Sequence, residues 1–306
     1  MNISILHLVL ICLLPPLFYG LSGIVDSKLV RYPELEQPPT LVFVNNMTSL
    51  LLALLLLVVS PLLPTPITLP PSNLVPILII VGLLEFLYLF PYYKAYTHLD
   101  TSVVNALFSL ARVMTPLLAF FMVNEILSVK QYLGFFIIVI SSAVLSLEKG
   151  ERFKLNAGFW LMVLAGGLIV FDHAAMKMAT YEIDWLNLFF WSMLIATLSS
   201  FSILLSPTSR SRIKASLRLP SLKKYARWLV LTQALYFIAS GLFVFAVAMV
   251  PITLVEVGLS FQPILVLAAS YILFKLFRMK RHEQKTAYTR KVICFVIMLF
   301  GSALII

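Results

Sequence analysis

Apolar residues run through this chain in long unbroken blocks and show little alternation. The blocks fall near 3–25, 40–60, 74–96, 101–122, 128–147, 156–179, 185–206, 227–249, 253–276 and 291–306. Most hold about the 20 residues that a helix needs to cross hydrocarbon. Strands of a membrane barrel would alternate polar and apolar positions instead. The pattern therefore predicts ten membrane-spanning helices. Pro61, Pro64, Pro66, Pro70 and Pro71 mark the loop after the second block, because proline lacks an N–H and breaks regular structure. The first block has no Lys or Arg before it and no small-residue cleavage pattern after it. It reads as a retained helix rather than a signal peptide.

Composition sharpens this picture. The 306 residues are 61% hydrophobic and only 12% charged, about half the charge of a soluble protein. A water-soluble enzyme and a disordered chain are both excluded. The net charge of +10 could suggest a nucleic-acid partner, but its placement argues against one. Of the 23 Lys and Arg, twenty follow odd-numbered spans, two (Lys130 and Lys177) follow even-numbered spans, and Arg112 lies inside a span. Cytoplasmic loops carry such an excess, so both termini are expected on the non-cytoplasmic side. Cys12 and Cys294 lie in apolar blocks and read as small buried hydrophobes, with no metal or disulfide spacing.

The blocks repeat. Ser27-Lys28-Leu29-Val30-Arg31-Tyr32 after the first span echoes Met176-Lys177-Met178-Ala179-Thr180-Tyr181 at the end of the sixth. Tight hairpins at Leu99-Asp100 and Val250-Pro251 occupy matching places, and Ser141–Leu145 resembles Gly301–Ile305. The expected fold is an all-α integral membrane protein of ten helices arranged as two inverted five-helix repeats, 1–150 and 151–306. Five is odd, so the second half enters the bilayer upside down. That is a design of secondary transporters, whose solute site lies near the midplane between the halves.

An ionisable group in hydrocarbon is a functional candidate by default. Glu85, Arg112, Asp172, His173 and Glu256 qualify. Glu85 and Arg112 each lie 13 or 14 residues from the hairpin centre, roughly 20 Å down antiparallel helices. An ion pair between them is geometrically available. It would serve either as a structural lock or as a cavity wall where Arg112 meets a solute carboxylate or phosphate. Polar stripes accompany them. Glu85, Tyr88, Tyr92 and Tyr96 share one helix side, as do Ser102, Asn105, Ser109 and Arg112; Gln233, Tyr236 and Ser240; Glu256, Ser260 and Pro263; and Tyr19, Ser22 and Asp26. The expected solute-binding set is Tyr19, Glu85, Tyr88, Tyr92, Asn105, Arg112, Asp172, Tyr236 and Glu256. Glu85, Asp172 and His173 are the candidates for proton coupling, His173 because histidine titrates near neutral pH.

The stretch Asn124-Glu125-Ile126-Leu127-Ser128-Val129-Lys130-Gln131-Tyr132-Leu133-Gly134 resembles the EamA-type signature of the drug/metabolite transporter superfamily, Gly-Glu-x-Leu-Ser-x-x-Gln-x-x-Gly. Lys28, Lys177 and Pro263 stand where that family often has Lys and Pro. The resemblance covers the whole chain at the level of ten spans. It implies a carrier fold and export of amino acids or related metabolites. Asn124 replaces the usual Gly, Arg112 stands where a Pro is common with Pro116 one turn later, and Glu283 matches Glu125 only loosely. Many members have cytoplasmic termini, opposite to the charge count here. Physically, Ser128 can cap the fifth span and Gly134 permits close helix packing.

Trp160, Trp185, Trp191 and Trp228 fall near span ends, as interfacial anchors do. Asn46-Met47-Thr48 matches a glycosylation pattern but lies inside a span. No nucleotide-binding loop or zinc-protease motif occurs, so no cofactor, no metal and no enzymatic activity are expected. The sequence reads as an inner (plasma) membrane carrier of a small amphoteric solute. Membrane lipid surrounds it, protons are a candidate coupling ion, no nucleic acid is a partner, and the assembly is a monomer or homodimer. Two other classes stay open: a membrane enzyme acting on lipid or lipid-linked sugar, and a non-transporting partner or channel.

Overall fold

The computed structural model describes residues 5–99, 101–146, 155–266, 268 and 287–305. The Asp100 hairpin tip, the basic loop Lys149–Lys154, the stretch Phe274–Lys285 with Glu283, and the side chain of Ser102 lie outside the described residues.

Helices occupy the apolar blocks, and the described residues contain no strand. In chain order they are α1 (Ile5–Leu29), α2 (Pro38–Val59), α3 (Val75–Leu87), α4 (Leu89–Ala95), α5 (Thr101–Ala111), α6 (Thr115–Val123) and α7 (Val129–Ser146). There follow α8 (Ala157–Ala179), α9 (Trp185–Ser200), α10 (Pro207–Ser216), α11 (Leu219–Met249), α12 (Ile252–Ser260) and α13 (Ala287–Ile305). Among the described residues six helical segments are long and apolar enough to cross a membrane: Pro38–Leu62, Val75–Ala95, Val103–Val123, Ala157–Ala179, Trp185–Leu205 and Leu219–Met249. Shorter apolar helices run over Val129–Val144, Ile252–Val266 and Val292–Ile305. Their outer surface carries exposed Leu51, Leu55, Val58, Phe121, Leu133, Leu164, Val230 and Phe300. Such a coat suits lipid and would aggregate in water, so the chain is a multi-pass membrane protein.

Several spans are broken, and proline explains where. Pro91 has no N–H and crowds the carbonyl of Leu87, four residues back. The third span therefore parts at Tyr88, between α3 and α4. Pro116 does the same to Arg112, and the fourth span tightens into a 3-10 turn over Arg112–Met114 between α5 and α6. In the ninth span Pro263 follows the break at Phe261.

One expectation needs correction. The stretch 207–227 reads in sequence as a basic loop, but it is helical. Ser206 accepts from Ser209 N at 3.4 Å with Pro207 next to it, a favourable start. Helix α11 then begins at Leu219, well before its apolar block.

α1 lies along α11, α13 along α7, α3 and α4 against α8 and α9, α5 and α6 against α8, α2 against α9, and α12 against α1. α7 and α13 run antiparallel. Gln131 Nε2 donates to Ile305 O at 3.2 Å at one end, while Ile138 lies against Gly301 further along. They cross closely at Gly134, where a Cβ would stand 2.5 Å from Gly301 O. The main core cluster joins Phe189, Phe190 and Met193 of α9 to Phe243, Val244 and Val247 of α11 and Leu259 of α12. A second seals the end near Leu29, Leu35, Phe43, Tyr225 and Leu229.

The loop after α1 meets the start of α11 at one end: Glu34 and Lys224 pair at 2.5 Å, and Tyr32 packs edge-on against Tyr225. At the opposite end the loop after α2 meets the start of α9. There Asn187 accepts from Thr68 N at 2.8 Å and donates to Pro66 O at 3.2 Å. Trp191 donates its indole N–H to Thr68 O at 2.9 Å.

Candidate functional site

The broken helices deliver polar side chains to the middle of the bundle. Arg112, at the 3-10 turn of the fourth span, reaches α12: its Nε lies 3.2 Å from Glu256 Oε2. His173 Nδ1, on α8, lies 2.5 Å from the other oxygen of the same carboxylate. Glu256 is fully buried, and Arg112 and His173 nearly so. The guanidinium also donates to Ser109 Oγ at 3.4 Å and to Gln262 Oε1 at 3.5 Å. Three elements from distant parts of the chain thus converge on one carboxylate. A buried ion pair is tolerated where geometry and added hydrogen bonds satisfy its remaining groups.

The expected Glu85–Arg112 pair does not form. Glu85, one turn before the Tyr88 break, instead accepts from Tyr236 Oη of α11 at 3.0 Å. The two side chains meet different neighbours: Glu85 faces Tyr236 of α11, and Arg112 faces Glu256 of α12. Tyr236 packs edge-on with Tyr19 of α1 at 5.7 Å, and its hydroxyl lies against that of Tyr88. Tyr19 lies beside Ser240. Asp172, the residue before His173, is fully buried within electrostatic reach of Glu85. Among the described residues neither Asp172 oxygen has a hydrogen-bond partner, nor has Glu85 Oε2, while Glu256 Oε2 has the Arg112 ion pair but no hydrogen bond. Phe243 joins the two groups, packing at 4.3 Å from the His173 ring and 6.4 Å from Tyr19.

Eight of the ten expected residues therefore gather around one centre: Tyr19, Glu85, Tyr88, Arg112, Asp172, His173, Tyr236 and Glu256. Tyr92 stands beside them in an aromatic patch, its ring 6.2 Å from Tyr88 and 5.6 Å from Phe108, its hydroxyl 3.0 Å from that of Tyr96. Asn105 is exposed on α5 and makes none of these contacts. Its sequence stripe with Arg112 gave no measure of which residues of that stripe are covered by neighbouring helices.

Sequence reasoning passed over Gln262 and Phe243. Gln262 is a lone amide inside an apolar block, the one signal that could have drawn attention to it. Phe243 gave no signal. It also left unassembled a polar network nearer the basic loops. Thr232 Oγ1 donates to Asp26 Oδ1 at 2.9 Å, Asn45 Nδ2 donates to Tyr93 Oη at 2.7 Å, and Ser49 donates to Gln233 Oε1 at 2.6 Å.

The signature stretch is structural. Ser128 and Gln131 form a reciprocal cap at the start of α7, with Ser128 N donating to Gln131 Oε1 at 2.9 Å. Asn124 ends α6 in the left-handed region at φ 52°, a position usually given to Gly and tolerated by Asn. Glu125 does more than its sequence suggests. Its carboxylate accepts from Ile252 N at 2.9 Å and Thr253 N at 3.1 Å and is bonded to Thr253 Oγ1. It thereby caps α12, whose own N-cap Pro251 offers no side chain. Lys177, expected at a loop, is buried in the last turn of α8. It donates to Val247 O at 2.7 Å and Val250 O at 3.0 Å, at the C-terminus of α11. A carboxylate at one helix start and an ammonium at the preceding helix end complement both dipoles of the Val250-Pro251 turn.

These features frame the comparisons with known proteins. No curated protein matches the chain. A solved structure titled only as a crystal structure of a protein aligns with a TM-score of 0.65, covering 97% of this chain and 94% of that one at 14% identity. That likeness concerns the fold alone. A family model, the EamA-like transporter family, matches residues 7–147, which include the signature stretch, Glu85 and Arg112. Over residues 7–147, just under half of its length, the chain is similar to the EamA-like transporter family, which is part of the drug/metabolite transporter superfamily.

Proposed function

We propose that the protein is a carrier that moves a small amphoteric organic solute, of the amino-acid kind, out across the inner (plasma) membrane by alternating access. The observation that carries this reading is the Arg112–Glu256–His173 cluster. It joins the two halves at buried helix breaks, where carriers hold their solutes. Aromatic rings and carboxylates beside an arginine suit a solute bearing both charges. Glu85, Asp172 and His173 are the groups able to take a proton during the cycle.

In this reading 1–150 and 151–306 are inverted five-helix repeats. Three features support it. The fifth and tenth spans, α7 and α13, run antiparallel. A two-fold relating span one to six, two to seven, three to eight, four to nine and five to ten maps the observed helix pairs onto one another. For example, the contact of α1 with α11 corresponds to that of α8 with α3 and α4. The fourth and ninth spans both break just before a proline. The placement of Lys and Arg supports an orientation with both termini away from the cytoplasm.

Purified protein in liposomes, tested for saturable flux against a metabolite panel, examines the reading. Carrier activity that Arg112→Ala and Glu85→Gln both abolish is expected. Normal transport by both variants would remove the assigned site.

A further inference from the structure

The cluster is asymmetric in charge. Its single guanidinium is already occupied: Glu256 meets Arg112, and Ser109 and Gln262 take further N–H groups. Lys177, one turn beyond His173, is held by Val247 O and Val250 O. Glu256 carries ion pairs on both oxygens, with His173 at Oε1 and with Arg112 at Oε2, the latter without a hydrogen bond. What remains is Asp172 and Glu85. They are 0% and 6% exposed, and among the described residues three of their four oxygens lack a hydrogen-bond partner; the fourth takes the Tyr236 hydroxyl at 3.0 Å. Tyr19 and Tyr88 both lie within electrostatic reach of the two carboxylates. Rings of Tyr19, Tyr236 and Phe243 pack edge to face alongside.

Two unpartnered carboxylates in an apolar interior are costly unless something positive neutralises them. Aromatic faces attract organic cations and hold their alkyl or aryl body out of water. A hard metal ion would call for six or more oxygen ligands, whereas three free oxygens and phenol rings suit an ammonium group. An anionic solute would have to displace Glu256 from Arg112 while facing both free acids.

We propose that Asp172 and Glu85, walled by Tyr19, Tyr88 and Tyr236, form a subsite for the ammonium group of an organic amine, so that the positive end of the solute is what this protein selects. This rests on the carrier reading and deepens it. Arg112 is then a partner of Glu256, and the solute's ammonium group docks on the opposite wall.

The test uses the full chain in lipid nanodiscs and reads thermal stabilisation, which grows with ligand occupancy. The probes are phenethylamine, putrescine and tetramethylammonium, with N-acetylphenethylamine as the uncharged control and 3-phenylpropionate as the anionic one. At least one amine is expected to stabilise saturably, with the two controls weaker by about tenfold or more. Asp172→Asn is expected to weaken that amine by a similar factor without lowering the melting temperature of the unliganded protein, since the acid has no partner to lose. Glu85→Gln replaces it if Asp172→Asn does not fold. The proposal is overturned if no amine binds, if 3-phenylpropionate or sodium chloride stabilises better than every amine, or if both variants bind as wild type. Saturable flux of an anion without amine binding would sink the subsite and leave the carrier. Amine binding without flux of any solute would do the reverse.

Discussion

Arg112 and Glu256 are 144 residues apart in sequence, and their side chains meet at 3.2 Å inside the bundle. The contact ties the fourth span to the ninth. It uses the carbonyl-freeing effect of Pro116 on the turn that holds Arg112, and it leaves Glu85 and Asp172 to a different role.

Removing one partner of that pair strands the other as a buried charge. Glu256→Gln and Arg112→Met are each expected to destabilise the protein by about 3–5 kcal/mol. The double variant should lose clearly less than the sum, because neither charge remains. Thermal or denaturant unfolding in detergent reads all three. Additive losses would show that the two residues act independently.

Glu125 caps a helix in the other half of the chain. Glu125→Ala is expected to cost about 0.5–2 kcal/mol and to raise hydrogen exchange at the first turn of α12, while α7, capped by Ser128, stays protected. Equal loosening of both helix starts would contradict the assignment.

The left-handed φ of Asn124 makes a further substitution informative. Asn124→Gly should be neutral or slightly stabilising, whereas Asn124→Val should cost about 1–2 kcal/mol. Unfolding midpoints of the two variants compared with wild type decide it. An indifferent Asn124→Val would mean that α6 does not end in this way.

At the basic end, the Lys224 ammonium beside Glu34 holds that carboxyl below its ordinary range. A depressed acid contributes stability above its unfolded value and loses it as pH falls through the folded value. Lys224→Met is therefore expected to lower stability near neutral pH by no more than about 1 kcal/mol. The difference should vanish in acid and shrink in high salt. A deficit that persists in acid would point to lost packing instead.

The sequence carried more of the fold than of the site, for physical reasons. Block length sets where helices run, so most described helices end within a few residues of the apolar blocks; α11 starts earlier, and the end of the ninth block lies outside the described residues. Local rules also worked at Ser128 and Gly134, whose capping and close approach depend on residues nearby or on small size. The direction of a side chain around its helix was not readable. A projection down one helix does not say which neighbouring helix a side chain meets, so it paired Arg112 with Glu85 rather than Glu256 and put the exposed Asn105 in the site. Contacts such as Arg112–Glu256 and Glu125–Ile252 link residues over a hundred positions apart, and no spacing rule reaches that far. The helical 207–227 stretch was hidden because its basic residues carry no apolar signal.

The central claim is a carrier whose solute crosses through the Glu85–Arg112–Asp172–Glu256 centre. It is tested most directly by counterflow in liposomes preloaded with a solute from the panel. The expected result is saturable uptake of labelled solute, accelerated by the same solute inside, and lost in Arg112→Ala and Glu85→Gln. Uptake that never saturates, gains nothing from preloading, or survives both substitutions would contradict it.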